Sequence, residues 1–255
     1  MNWRLPPQLP PPFEGPAVFE TCQVKRGRIL FLSGHLHRLR ASIQTLGTPT
    51  WDEGFVRSQL TRAAREVEGG FVRIAVHGPA GRVIIYKHPG TPYTKSQKKR
   101  GVDLTTVPTR WPSGETAFAQ VKSSERLGSV LARLEGGDSP EVLRVGPHGY
   151  LTEGTVSNFF LVKNGTLLTP PTWLGVLEGV TRSRVLRSAR RWGIPSLEVP
   201  VSRHELFNAD EAFLTNVLMG VFPIRTVDGR RIGTSVPGLV TRRLAQVIEK
   251  TGLRR

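Results

Sequence analysis

The sequence predicts an α+β fold in two parts, on three observations. Short β-type runs are closed by tight turns. Apolar residues recur at helical spacing in several separate segments. One aperiodic stretch, 88–100, divides the chain. The 255 residues suffice for one large domain or two small ones with real cores. Three spans are expected: a small N-terminal α/β domain at 1–88, a linker at 89–100, and a larger domain at 101–255.

Residues 1–16 are rich in proline and read as an extended arm. A hairpin follows, with Val18–Val24 and Arg28–Leu32 around Lys25-Arg26-Gly27. Leu36, Leu39, Ile43 and Leu46 mark a first helix that Gly47 ends, and a second helix covers about 52–67. Phe71–Val76 and Arg82–Tyr86 pair around His77-Gly78-Pro79-Ala80-Gly81. Past the linker, a strand is expected near 102–107. Leu127, Val130, Leu131 and Leu134 mark a helix over about 123–135, stopped by Gly136-Gly137. Strands at 141–145 and 158–163 precede the Asn164-Gly165 turn and Thr166–Thr169. A helix at about 181–192, a strand at Glu211–Thr215 and a helix at about 237–251 complete the reading.

Charges interrupt every apolar run, so no membrane span is expected. The start, Met1-Asn2-Trp3-Arg4 before a proline series, has no apolar signal core, so the expected location is cytoplasmic. Cys22 is the only cysteine, which excludes an internal disulfide and a cysteine-based zinc site. Lys and Arg number 36 against 20 Asp and Glu, a net charge of +16. That balance favours anionic partners. The basic residues are scattered, however, and the densest tract, Lys95–Arg100, has no interleaved aromatics. It reads as a solvated connector, so a small anionic substrate is preferred to a nucleic acid.

Few residues stand out as chemistry. Lys122 follows a valine just ahead of the expected 123–135 helix, where a positive charge opposes the helix dipole. A desolvated amine there has a lowered pKa and can condense with an aldehyde. Glu153, in Tyr150-Leu151-Thr152-Glu153-Gly154, reads by itself as an exposed hairpin carboxylate. Glu178-Gly179-Val180-Thr181-Arg182 opens a helix whose amides at Val180 and Thr181 can face an anion, although taken by itself the segment reads better as a plain N-cap at Thr181. Thr215-Asn216-Val217-Leu218-Met219-Gly220 is a second strand-to-turn junction able to present amides. Arg38 offers a planar fork suited to phosphate. His35 and His37 stand two apart on different faces of a helix, and no third ligand accompanies them, so no metal is expected.

Taken in order, Phe19-Glu20-Thr21, His35-Leu36-His37-Arg38-Leu39, Lys122, Thr152-Glu153-Gly154 with Ser157-Asn158-Phe159-Phe160, Gly179-Val180-Thr181-Arg182 and Thr215-Asn216 resemble the class IV, fold-type IV, pyridoxal-phosphate enzymes. That family holds D-amino acid and branched-chain aminotransferases and 4-amino-4-deoxychorismate lyases. The resemblance covers about residues 17–235. It implies a two-domain fold like that of D-amino acid aminotransferase, pyridoxal 5′-phosphate as cofactor, and a homodimer with its active site near the subunit interface. Carried over residue by residue, Lys122 is the lysine that holds the cofactor covalently and moves the substrate proton. Glu153 binds the pyridine nitrogen. Arg38, Val180, Thr181, Asn216 and Val217 hold the phosphate, and Ser157 and Asn158 belong to the cofactor site. Arg73, His77 and Arg82 lie on the hairpin that faces substrate in such enzymes. The run Thr215–Pro223 is most similar to the lyases, which implies conversion of 4-amino-4-deoxychorismate to 4-aminobenzoate and pyruvate in folate biosynthesis. The alternative is an aminotransferase acting on D-amino or branched-chain amino acids.

Overall fold

In the computed structural model, the described residues are 17–47, 52–78, 81–108, 117–124, 127–146 and 148–251. The proline-rich arm expected at 1–16 lies outside them. The chain forms two units, one from residues up to Thr91 together with Val121–Arg126, the other from Pro92–Gln120 and Leu127 onward.

The first unit begins with β1 (Ala17–Lys25), turns through Arg26 and Gly27, both at positive φ, and returns as the two-residue β2 (Arg28–Ile29). The expected second arm of this hairpin is shorter than its β-rich sequence suggests. Phe31 takes a left-handed conformation (φ 58°) and Leu32 already starts α1 (Leu32–Thr45). α2 (Glu53–Arg65) is capped by Asp52, whose carboxylate accepts the Phe55 N–H at 2.9 Å. β3 (Gly69–His77) and β4 (Arg82–Pro89) complete an antiparallel sheet in the order β2-β1-β3-β4. Alternation sorts its residues. Val18, Cys22, Val24, Val72, Ile74 and Val76 pack against Leu36, Leu39, Ile43 and Leu60 of the helices. The opposite face carries Ala17, Phe19 and Ala75, with Tyr86 against them.

The second unit starts with α3 (Lys95–Arg100). The linker expected at 89–100 therefore contains a helix, made by a Thr94–Gln97 capping box that the lysine run conceals. The strands β5 (Val102–Pro108), β6 (Val142–Val145), β7 (Tyr150–Gly154), β8 (Asn158–Lys163), β12 (Glu211–Asn216) and β13 (Gly220–Val227) pair in a closed ring, because β7 also pairs with β8 through Glu153 and Asn158. The short strands β9 (Thr166–Thr169), β10 (Ser196–Glu198), β11 (Val201–Ser202) and β14 (Arg230–Arg231) extend it. Leu143, Leu151, Phe159, Leu161, Leu214 and Phe222 form one core; Phe160, Val162 and Phe213 form another with the helices α5 (Val180–Arg191) and α7 (Leu239–Thr251). α6 (Arg203–Phe207) is a single capped turn.

α4 (Leu127–Glu135) packs Ala132 against Val107 of β5 and Val142 of β6. It begins four residues later than the pattern predicted, so Lys122 does not stand at a helix start. Residues 121–124 run beside β1 instead: Phe19 N–H donates to the Lys122 carbonyl at 2.9 Å, Ser124 N–H to the Ala17 carbonyl at 2.7 Å, and Val18 bridges Ser123. The dipole argument for Lys122 therefore does not apply.

Candidate active site

The first unit presents two groups of predicted residues, on opposite faces of one sheet. On the helix side, Glu20 is buried (1% exposed). It accepts Arg38 Nε at 2.6 Å and Arg38 Nη2 at 2.7 Å, a bidentate fork, and lies 2.8 Å from His35 Nδ1. Burial, the largest influence, pushes the Glu20 carboxyl upward. The Arg38 charge and the hydrogen bonds from His35 and Arg38 outweigh it and hold the pKa at about 2. Ser42, one turn beyond Arg38 on the same face of α1, lies with its hydroxyl 3.5 Å from the Lys122 amide.

On the other face, Lys122 Nζ stands 4.9 Å from the centre of the Phe19 ring, and the Arg73 guanidinium 5.3 Å from the same centre. Arg73 Nε also donates to Thr21 Oγ1 at 3.2 Å. Burial lowers the Arg73 pKa. His77 is four residues further along β3 and pairs directly with Arg82, so Arg73, His77 and Arg82 share this face. The structure thus brings together Lys122 and all three expected substrate residues around one sheet face. Phe19, which the sequence reading quoted without a role, is the ring beneath two cations.

In the second unit the remaining candidates converge on Asn158. The Asn158 amide donates to Glu153 Oε2 at 2.9 Å and to the Leu177 carbonyl at 2.8 Å. Glu153, half-buried on β7, also accepts the Leu177 N–H at 3.0 Å, and Arg144 Nη2 reaches Glu153 Oε1 at 2.8 Å. A guanidinium and two N–H donors therefore surround it, the setting of an ionised carboxylate rather than of an exposed hairpin acid. The turn from β7 to β8 is held by buried Glu141, which accepts from Thr155 N (2.9 Å), Thr155 Oγ1 (2.6 Å) and Ser157 Oγ (3.3 Å). Ser157 is thus committed to the turn. Nothing in the Ser139-Pro140-Glu141 sequence signals this role.

Gly179 caps α5 and packs on Asn158, whose Oδ1 a Cβ at position 179 would strike. The first intrahelical bond runs from Ser183 N–H to the Gly179 carbonyl, so the amides of Val180 and Thr181 have no partner within the helix. The Thr181 hydroxyl is buried without a hydrogen-bond partner, and the first turn carries no acid. Asn216 closes the group. Its Oδ1 accepts the amides of Leu218 (2.9 Å) and Met219 (2.8 Å), and its Nδ2 donates to the Val156 carbonyl at 3.2 Å. The side chain therefore shapes the turn. An unpartnered buried hydroxyl, free helical amides and a glycine with no room for a side chain fit an oxyanion such as a phosphate ester. Among the described residues no three His, Cys, Asp or Glu side chains gather as metal ligands.

The sequence pattern described as amino-transferase class IV matches residues 17–227. The chain belongs to the class IV aminotransferase family. Its members depend on pyridoxal 5′-phosphate, and its fold, fold-type IV, is the one seen here. The chain is 31% identical over 252 residues to the branched-chain-amino-acid aminotransferase of Pseudomonas aeruginosa, covering 91% of this chain and 80% of that protein. It is 28% identical over 254 residues to the D-alanine aminotransferase of Bacillus licheniformis, covering 93% and 88%. The crystal structure of 4-amino-4-deoxychorismate lyase from Pseudomonas aeruginosa superposes with a TM-score of 0.81 at 27% identity, covering 93% of this chain and 91% of that one. This class IV enzyme is thus similar both to aminotransferases and to a lyase.

Proposed function

We propose that this class IV enzyme is a lyase that converts 4-amino-4-deoxychorismate to 4-aminobenzoate and pyruvate, acting as a cytoplasmic homodimer. The observation that supports the lyase reading is the sheet face around Lys122. It carries Arg73, His77 and Arg82 beside the apolar Phe19, Ala75 and Tyr86, and its cations are suited to pair with the carboxylates of a dicarboxylate. The aminotransferase relatives support a second reading, transamination of D-amino or branched-chain amino acids.

In either reaction the cofactor, when bound, supplies an electron sink for charge developing at the substrate carbon. Lys122 would hold it covalently and then carry the substrate proton on Nζ. Glu153 would accept the pyridinium N–H, kept anionic by Arg144, Asn158 and the Leu177 amide. The amides of Val180, Thr181 and Val217 and the Thr181 hydroxyl would hold the phosphate; Arg38, whose Nε and Nη2 are taken by Glu20, fits a positioning role. Ser157, Asn158 and the Asn216 side chain fit a positioning role, since their polar atoms are engaged within the protein. The larger part, 101–255, would be the cofactor-binding domain and 1–88 the smaller one.

Pyruvate release from 4-amino-4-deoxychorismate, assayed beside keto-acid-dependent transamination of D- and L-amino acids, tests the proposal. Pyruvate and 4-aminobenzoate in equal amounts are expected. Transamination without 4-aminobenzoate would reject the lyase and leave the second reading.

A further inference from the structure

The strand pair β6–β7 carries a bulge at the position of Glu153. Leu143 pairs with Gly154 and Val145 with Leu151, so two residues, Thr152 and Glu153, stand opposite the single Arg144. The bulge decides which way Glu153 points. Leu143, Val145 and Leu151 all pack into or against one core. In a regular strand Glu153, two residues after Leu151, would face that core as well. The extra residue turns it onto the face that Arg144 occupies. There Arg144 Nη2 reaches Glu153 Oε1 at 2.8 Å, with both side chains 12% exposed. Thr152 Oγ1 donates to the Arg144 carbonyl at 3.2 Å and ties the two strands at the same point.

Glu153 does not need this partner for its orientation. The Asn158 amide at 2.9 Å and the Leu177 N–H at 3.0 Å already hold Oε2. Nor does stability account for the guanidinium. Its Nε is buried without a hydrogen-bond partner among the described residues, which costs free energy. A buried ion pair is commonly no more stabilising than apolar side chains of the same volume. What Arg144 adds is a positive charge.

We propose that Arg144 is a positioning residue that acts through Glu153: its charge weakens the hold of that carboxylate on the proton of the cofactor's ring nitrogen. The inference rests on the reading that Glu153 receives the pyridinium N–H, and it adds what tunes that contact. A carboxylate without a cationic partner favours the protonated ring by the full attraction of opposite charges. A carboxylate paired with a guanidinium presents close to zero net charge, so the same ring is protonated less readily. Arg144 thereby limits how strong an electron sink the bound cofactor is.

Nitrogen-15 NMR of the full chain loaded with ring-labelled pyridoxal 5′-phosphate reads the protonation of that nitrogen directly. Wild type, Arg144→Leu, Arg144→Lys and Glu153→Gln are compared at one near-neutral pH. Arg144→Leu removes the charge, and its ring resonance should move toward the protonated limit, a change of about tenfold in the ring-proton equilibrium. Arg144→Lys, which keeps the charge, should stay near wild type. Glu153→Gln should move toward the unprotonated limit. A role confined to bracing Glu153 has the opposite sign for Arg144→Leu, because a loosened carboxylate protonates the ring less. An Arg144→Leu resonance that is unchanged, or that moves toward the unprotonated limit, overturns the tuning role while the assignment of Glu153 stands. A Glu153→Gln resonance identical to wild type overturns both. Should Arg144→Leu fail to fold, Arg144→Gln removes the same charge with a polar side chain and is read by the same criteria.

Discussion

Glu153 shows how far a residue's role depends on neighbours that the sequence does not place beside it. From its own segment it reads as a surface acid. In the fold, Arg144 from the adjacent strand, Asn158 across a single β pair and a loop amide at Leu177 surround it. Only the ordered motif of the whole family pointed to Glu153, and none of these three partners was legible from spacing. Glu153→Ala should keep part of the cofactor and lose about a hundredfold or more in turnover, near 3 kcal/mol of transition-state stabilisation; near-normal kcat with bound cofactor would contradict the assigned role. Glu20 is a similar case, quoted in Phe19-Glu20-Thr21 without a function and found clasping Arg38. Its folded pKa of about 2 lies below the ordinary 4.5. The stabilisation it gives is therefore complete above about pH 4.5 and is lost as pH falls toward 2, amounting to roughly 3 kcal/mol across that window. Urea denaturation at pH 6 and pH 3 should show this slope in wild type and a flatter one in Glu20→Gln. Equal slopes would mean that the clasp does not set the acid limit.

Secondary structure was legible where one rule acts alone. α1, α2, α5 and α7 follow their apolar periodicity, and β8 and β9 follow the Asn164-Gly165 turn. Periodicity also found α4 but could not tell which way its stripe faces, since outward and inward leucines have the same spacing. The helix expected from about 123 begins at Leu127, because β1 takes the backbone of Ser123 and Ser124 into its own ladder. β13 escaped notice because its interior Pro223 argues against a strand. Gly179 is the element-scale point most open to test. Its α position touches Asn158, so Gly179→Ala should force the start of α5 away from β8. The expected cost is about 1–3 kcal/mol of stability from overpacking, read by chemical denaturation, with a weakened affinity for pyridoxal 5′-phosphate. Unchanged stability and cofactor affinity would show that the close packing is dispensable.

For the whole molecule, the α+β class was legible, because strand and helix patterns alternate along the chain. The closed ring of strands was not, since closure depends on the single Glu153–Asn158 pairing and not on any local pattern. The charge of +16 excluded little, as its arginines are spread along the chain. Cofactor class follows from family membership; the reaction does not, because lyases and aminotransferases use the same lysine and carboxylate. The central claim is that Lys122 is the residue that carries the cofactor. Borohydride reduction of the cofactor-loaded protein, followed by peptide mass spectrometry, tests it most directly. Reduced pyridoxyl phosphate on the peptide containing Lys122, and its loss in Lys122→Ala, is the predicted result; a label on any other lysine, or none on a protein that binds the cofactor, would contradict it.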